Sequence, residues 1–381
     1  MSSIYYWSPC LTKVGTYKST INSAISISKY YNKEYSINII NICGEWDEEK
    51  SYLEKKKIHV IDLGLKYYKY LPKRGFFTSR LSFIIIFILS FIPLLNLLIK
   101  KKPNFIIAHL ITSLPILLVN IFKIKTKLIL RISGYPKLNF IRLNFWKFCF
   151  KKIHMITCPS KDLANQIKKV FIFYERKIHF LPDPIICLEE FRKKKQFFDL
   201  KKIISKKEYF ISVGRLTKQK NFQYLIHEFS SFRKLNPKFN LLIFGEGEER
   251  NKLKEIIENY NLKDTIFLMG YSDIIYYYMK NAKALILSSL WEDPGFVLIE
   301  SALCNLSIIS SDCKNGPREF LNNGDGGFLF ESNKKNALKN KILEFIDSTN
   351  KTYSKKIYAK KNSLKYTMFR HSKKFVNILS F

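Results

Sequence analysis

Two glutamates eight residues apart, Glu292 and Glu300, and two cations five residues apart, Arg215 and Lys220, are the side chains best placed to do chemistry. A carboxylate accepts hydrogen bonds from hydroxyls. Arginine offers a planar fork of donors and lysine a compact point charge, so the two can converge on a diphosphate. Lys218 between them reads as a bystander. The apolar run Ala284 to Leu287 has the form of a buried strand, and it ends at a turn holding Trp291 and Glu292. Pro294 and Gly295 then open a helical stretch that carries Glu300 two turns beyond Glu292. A second apolar run, Ser307 to Ser310, ends at Asp312, and Gly316-Pro317 opens the next helix, where proline is tolerated because the first turn needs no backbone donor. Helix N-termini at such junctions suit a phosphate. Together with carboxylates that bind hydroxyls, they describe a nucleotide-sugar site. The plainer alternatives are two solvated helix glutamates and a solvated basic loop.

The elements that must position these residues alternate strand and helix twice over. In the second half, Tyr209 to Val213 is a strand that runs into Gly214-Arg215 and then the helix Phe222 to Leu235. Asn240 to Gly245 and Thr265 to Gly270 are strands followed by helices, and Gly245-Glu246-Gly247 is a weak signal by itself. Lys334 to Ile346 reads as a helix. In the first half, strands are expected at Ile4 to Trp7, Ser36 to Cys43, Ile58 to Leu63, Asn104 to His109, Lys127 to Ser133 and His154 to Cys158. Ser8 to Thr16 is a loop containing Gly15, before a helix from Ser19 to Tyr31; that opening is common in nucleotide-binding folds. His109 falls at the end of a strand, where α/β proteins bind ligands.

The expected organisation is α/β. Residues 1–185 form a first doubly wound domain, 186–207 a basic linker, 208–350 a second domain and 351–381 a basic helical tail. The two Rossmann-like domains would face a cleft.

Composition narrows the setting. A chain of 381 residues with 47% hydrophobic content can fill two cores, and its net charge of +34 calls for an anionic partner. The 7 cysteines follow no Cys-x-x-Cys pattern, which argues against a disulfide framework or zinc site and for a reducing compartment. Met1 to Pro9 is polar-aromatic, so no cleavable leader is expected. Leu81 to Ile99 is uncharged and long enough to span a bilayer. Because strands follow it, the favoured expectation is a helix packed on the sheet with its other face in the membrane interface; spanning is the alternative. Basic residues from Lys123 to Lys169 interleave with Phe140, Phe145, Trp146, Phe148 and Phe150, a mixture that suits an anionic membrane or a nucleic acid. Neither an RNA-binding signature nor zinc-finger spacing supports the second option.

The stretch from Glu292 to Glu300 resembles the Glu–seven residues–Glu motif of family-four retaining glycosyltransferases, of the bacterial surface-polysaccharide type, which have the GT-B fold. The resemblance implies that Glu292 contacts the donor sugar and Glu300 the ribose. It implies that Arg215 and Lys220 clamp the diphosphate, that Gly15 approaches the donor phosphates, and that Tyr271 lies where the base is cradled. Gly295, Phe296 and Val297 complete the implied donor-binding group, with His109 and Arg131 as candidate acceptor-site residues. Two positions depart from the common pattern: Asp293 replaces the glycine after the first glutamate, and Ser133-Gly134 stands where many relatives carry His-Gly or His-Asp. The implied reaction moves a hexose or N-acetylhexosamine, with retention, from a nucleotide sugar, UDP being the expected nucleotide. The acceptor would be a lipid-linked or growing surface glycan such as lipopolysaccharide, O-antigen or capsule. The nucleotide sugar is a substrate, no cofactor or metal is expected, and Asp-x-Asp is absent. The tail would cross back to the first domain. The expected location is cytoplasmic, peripheral on the inner face of the cytoplasmic membrane, with no nucleic-acid partner. The alternative is a membrane-associated nucleic-acid-binding or structural protein without catalysis.

Overall fold

The computed structural model describes residues 1–12, 15–72, 76–136, 138–191 and 208–380. Most of the expected linker, residues 192–207, lies outside them. The chain divides into two compact units, Met1–Ile185 with Met368–Phe381, and Ile186–Thr367.

The first unit is built on a seven-stranded sheet in the order β3-β2-β1-β4-β5-β6-β7. Its strands are β1 (Ser2–Trp7), β2 (Tyr35–Asn41), β3 (Ile58–Asp62), β4 (Phe105–Ala108), β5 (Lys127–Arg131), β6 (Ile153–Cys158) and β7 (Ile178–Phe180). All pairings are parallel. A parallel strand is covered on both faces, which is why Ile106, Ile129 and Leu130 are all fully buried in near-continuous apolar runs. Helices α1 (Gly15–Tyr30), α2 (Lys50–Lys55), α3 (Phe76–Lys101), α4 (Ser113–Ile121), α5 (Phe140–Cys149) and α6 (Lys161–Val170) make the crossovers. The chain winds from β1 to β3, and α3 then carries it back to β4 on the other side of β1. Helix α3 therefore returns to the sheet it left. Ser82, Ile86, Ser90, Leu94 and Leu98, each four residues after the last, form its fully buried stripe. Strand β7 was not expected: it is a three-residue edge strand whose alternation is too short to read.

The second unit has a six-stranded parallel sheet in the order β10-β9-β8-β11-β12-β13. The strands are β8 (Tyr209–Val213), β9 (Asn240–Phe244), β10 (Ile266–Gly270), β11 (Ala284–Leu287), β12 (Ser307–Ser311) and β13 (Phe328–Phe330). The helices are α7 (Phe222–Leu235), α8 (Arg250–Asn259), α9 (Ile275–Asn281), α10 (Phe296–Leu303), α11 (Pro317–Phe320), α12 (Ala337–Asp347) and α13 (Thr349–Ser363). Phe210, Phe229, Phe232 and Phe239 meet at the centre of its core, with Phe210 edge-on to Phe229 and Phe232.

The expected single tail is two elements. Helix α13 packs on α10 in the second unit, so that unit ends at Thr367 and not at residue 350. The last helix, α14 (Met368–Leu379), packs on α1 in the first unit.

Candidate functional site

Strands β8 and β11 are neighbours, with Leu285 paired to Ile211, so the loops that follow them emerge side by side. Three hydrogen bonds stitch them together. Ser288 Oγ donates to the Lys220 carbonyl at 2.8 Å, Leu290 N to the Gln219 carbonyl at 2.8 Å, and Gln219 Nε2 to the Trp291 carbonyl at 2.9 Å. Ser311 Oγ, at the end of β12, donates to the Ser289 carbonyl at 2.6 Å. The loop after β9 braces the same assembly. Leu216 N donates to the Glu246 carbonyl at 3.0 Å, and Glu249 N to the Leu216 carbonyl at 3.0 Å. That bracing explains Gly245 and Gly247. A Cβ on Gly245, whose φ is +133°, would stand 1.9 Å from the Gly214 carbonyl oxygen, and one on Gly247 would stand 2.3 Å from that of Leu216. The Gly-x-Gly that is weak as a sequence signal is the packing surface for the Arg215 loop.

Within this frame Lys220 Nζ forms an ion pair with Glu292 Oε1, and the Ser289 hydroxyl donates to the same oxygen at 2.6 Å. The two charges are 14% and 5% exposed. Water screens such a pair little, and breaking it would strand a buried charge. The Lys220 stem runs over Gly214, where a Cβ would sit 3.1 to 3.2 Å from three of its carbons. Behind Glu292, a Cβ on Gly316 would meet the Pro294 carbonyl oxygen at 2.6 Å, so the chain entering α11 presses on the glutamate turn. Arg215 is exposed, and among the described residues no hydrogen bond or ion pair occupies its guanidinium. One cation is thus held in place while the other is open to an anion. Lys218 is exposed beside them.

Gly295 caps α10 with φ +84°, a left-handed conformation that disfavours side chains. Phe296 is half-buried and Val297 buried at the start of that helix. Glu300 is half-buried on α10 and accepts a hydrogen bond from Tyr276 Oη of α9 at 3.2 Å. Burial, and then the Glu300 charge, push the Tyr276 phenol upward, so it stays a neutral donor. Tyr271 is exposed directly after Gly270, whose φ is +73°. The structure therefore brings Arg215, Lys220, Glu292 and Gly295 onto connected loops at the carboxyl ends of adjacent strands. The expected anion site at the second junction is reduced, because α11 is a single four-residue turn with little dipole.

Two supporting residues escaped the sequence reading. Ser289 stands in a Ser-Ser pair, an ambiguous signal. Tyr276 lies in a run of three tyrosines, of which Tyr278 packs inward, and only the fold shows which one reaches Glu300.

In the first unit, Gly15 is the first residue of α1 and not a loop position: the helix begins before Ser19. His109 is buried at the end of β4, where burial and then the Arg131 charge hold its imidazole well below the usual range and therefore neutral. Arg131 needs a correction as an acceptor-site residue. It is 5% exposed, its guanidinium pairs with Asp183 Oδ1, and it also donates to the Ile132 carbonyl. Ser19 Oγ donates to the same Asp183 oxygen at 2.8 Å. Arg131 thus ties β5 to the Pro182–Pro184 segment and has no exposed face for a substrate. Among the described residues, no group of three or more His, Cys, Asp or Glu side chains is placed to hold a metal ion.

The chain is similar in sequence and fold to known proteins. Residues 193–362 match the family described as glycosyl transferases group 1. An uncharacterized glycosyltransferase of Methanocaldococcus jannaschii is 30% identical over 244 residues, 60% of this chain and 60% of that protein. A Campylobacter jejuni diphospho-undecaprenol N-acetylgalactosaminyltransferase is 27% identical over 266 residues, 67% of this chain and 68% of its own length. The chain thus spans about three fifths to two thirds of the length of these relatives. A glycosyltransferase structure from Rickettsia africae superposes with a TM-score of 0.75 at 17% identity, covering 99% of this chain and 97% of that one. An Anabaena protein solved in complex with UDP gives 0.71 at 15% identity with 100% of each chain covered. The fold is GT-B: two parallel-sheet α/β domains.

Proposed function

We propose, from the premise that residues 193–362 belong to the group 1 glycosyl transferases, that the protein moves a hexose or N-acetylhexosamine from a nucleotide sugar to a lipid-linked or growing surface glycan. UDP is the proposed nucleotide, and retention the proposed stereochemistry. The observation that carries the reading is the Lys220–Glu292 pair set beside the open Arg215 on hydrogen-bonded loops. In the reaction the bond between the anomeric carbon and the β-phosphate oxygen breaks, and the diphosphate leaves with the bonding electrons. The acceptor hydroxyl oxygen bonds to the same face of the anomeric carbon and passes its proton to the departing diphosphate. Arg215 and Lys220 stabilise the charge that develops on the departing diphosphate. Glu292 receives hydrogen bonds from the donor sugar and Glu300 from the ribose.

Two relatives support the reading. The Campylobacter protein is named for transfer onto a diphospho-undecaprenol carrier, and a Staphylococcus aureus relative, 26% identical over 136 residues, for N-acetylglucosamine transfer to poly(ribitol-phosphate). On this basis the acceptor is a polyprenyl-linked or polymeric surface glycan, of the lipopolysaccharide, O-antigen or capsule kind, and the enzyme works on the inner face of the cytoplasmic membrane.

The test is a screen of UDP- and GDP-sugars for slow donor hydrolysis by the purified chain, with Glu292→Gln as the inactive control. Release of free sugar and nucleoside diphosphate from one donor, absent in the control, is expected. Failure with every donor, or equal hydrolysis by the control, would overturn the assignment. Because the two cations supply the charge that a metal would otherwise bring, EDTA should leave turnover essentially unchanged. Loss of activity restored by manganese would contradict that.

A further inference from the structure

The acidic residues are distributed unevenly. Between Leu63 and Lys161 the chain runs for 99 residues without one Asp or Glu, while carrying 18 Lys and Arg. A general bias toward lysine codons would add cations everywhere, but it would not clear acids from one segment and leave all 31 elsewhere. The fold concentrates this segment in one region. Helices α3, α4 and α5 share the core on one face of the first unit's sheet, and α4 packs against both of its neighbours. Phe91 of α3 meets Phe122, just beyond α4, edge-on with centroids 6.3 Å apart.

The outward sides of α3 and α5 carry exposed apolar residues. On α3, opposite the buried stripe, Ile84, Ile88 and Ile92 are 56%, 65% and 60% exposed at four-residue spacing. On α5, Phe140, Ile141 and Phe148 are 80%, 77% and 75% exposed. Single exposed apolar residues are ordinary, but a row of isoleucines on one helix together with phenylalanines on a near neighbour is a patch. Exposed cations border it: Lys100 and Lys101 end α3, Lys123 and Lys125 follow α4, and Lys147 and Lys151 lie on and just after α5.

We propose that this three-helix face docks flat on an anionic phospholipid bilayer, with the α3 and α5 apolar side chains in the headgroup–acyl boundary and the bordering lysines on the lipid phosphates. The occupant follows from charge. A second copy of the chain would bring a surface of like charge against this acid-free one, whereas an anionic leaflet attracts it. The helix lies in the surface and does not cross it, because its fully buried stripe is committed to the sheet that it joins at both ends. Apolar insertion and several charges acting together give the two signals that stable peripheral attachment needs. The surface lies in the first unit, whereas the donor residues lie in the second, so this inference stands apart from the donor chemistry.

The experiment is co-sedimentation of the full chain with phosphatidylcholine vesicles, with and without phosphatidylglycerol, at low and high salt. Two triple variants test the two helices: Ile84→Asp/Ile88→Asp/Ile92→Asp and Phe140→Ser/Ile141→Ser/Phe148→Ser. All six positions are exposed, so thermal melts and donor hydrolysis in solution should match the parent chain and separate lost docking from lost folding or lost catalysis. The parent should pellet with anionic vesicles and poorly with neutral ones. Each triple variant should lower the partition coefficient by about tenfold or more. High salt, which shrinks the Debye length from roughly 10 Å to about 3 Å, should release part of the protein. Failure of the parent to bind, or unchanged binding by both variants, would overturn the proposal. So would a parent dimer that the variants dissolve, which assigns the face to a second copy. Binding that resists salt and carbonate, with protease-accessible sites on both sides of the vesicle, would replace docking by spanning.

Discussion

Glu292 and Lys220 neutralise each other before any substrate arrives, and that pairing sets what each variant should do. A diphosphate must compete with Glu292 for the ammonium. Replacing Glu292 by Gln removes the competitor and a negative charge near the phosphates. The variant should therefore bind UDP several-fold tighter, a change of roughly 1 kcal/mol, while losing sugar transfer; calorimetric titration with UDP checks it. Weaker UDP binding would mean that Glu292 instead holds Lys220 in its working position. Arg215 has no such partner among the described residues, so Arg215→Ala should lower turnover on the order of a hundredfold, as loss of a preorganised donor does, with the thermal melt unchanged. Steady-state kinetics at near-normal rates would remove it from the clamp. Arg215 and Glu292 were legible because each stands a few residues after an apolar strand run, where α/β folds bind ligands, and Lys220 and Glu300 followed from their spacing to these two. Arg131 shows the limit. It too ends a strand, but its partner Asp183 is 52 residues away in sequence, and no local pattern shows that the guanidinium is already taken.

At the scale of elements, strands and crossovers were readable because parallel strands are continuous apolar runs with helices between them. The tail was not, since Lys351 to Phe381 has one composition but two destinations. What fixes α14 is a relay that only the fold reveals. His371 Nδ1 donates to the Pro182 carbonyl at 2.7 Å, which leaves Nε2 to accept from Ser23 Oγ at 2.8 Å, and the Tyr6 hydroxyl lies 2.9 Å from that oxygen. This arrangement requires a neutral ring. Burial pushes the imidazole from its ordinary 6.5 down to about 4, against the opposing pull of the Pro182 bond and Asp183. With the folded value below the unfolded one, the stability contributed is complete above pH 6.5 and drains away as pH falls through about 4. His109, buried nearby, has the same sign. His371→Gln should lower stability near neutrality and flatten this acid slope, leaving the part due to His109. Thermal melts from pH 8 down to pH 4 measure it; an unchanged slope would mean that the ring does not titrate on unfolding.

Taken whole, the molecule separates two tasks that the sequence runs together. Apart from Gly15, the residues assigned to the diphosphate and ribose, from Arg215 to Glu300, lie in the second unit, and that unit ends at Thr367. The last helix belongs to the first unit, where Met368, Phe375, Val376, Ile378 and Leu379 are buried against it. Burying such a side chain contributes roughly 1.5–3 kcal/mol. Five of them therefore amount to much of the 5–15 kcal/mol that typically holds a domain together. Ending the chain after Thr367 should thus leave the first unit largely unfolded while the donor residues keep their frame. Limited proteolysis should cut the truncated protein within residues 1–185 and spare 208–367. Calorimetry should still find UDP bound with an affinity within a few-fold of the parent, a difference under about 1 kcal/mol. Sugar transfer should be lost, because the unit expected to bind the acceptor is gone. Proteolysis spread evenly over both units would show that they unfold as one cooperative body, and UDP affinity lost along with the first unit would place part of the nucleotide site there, with Gly15 as the candidate contact.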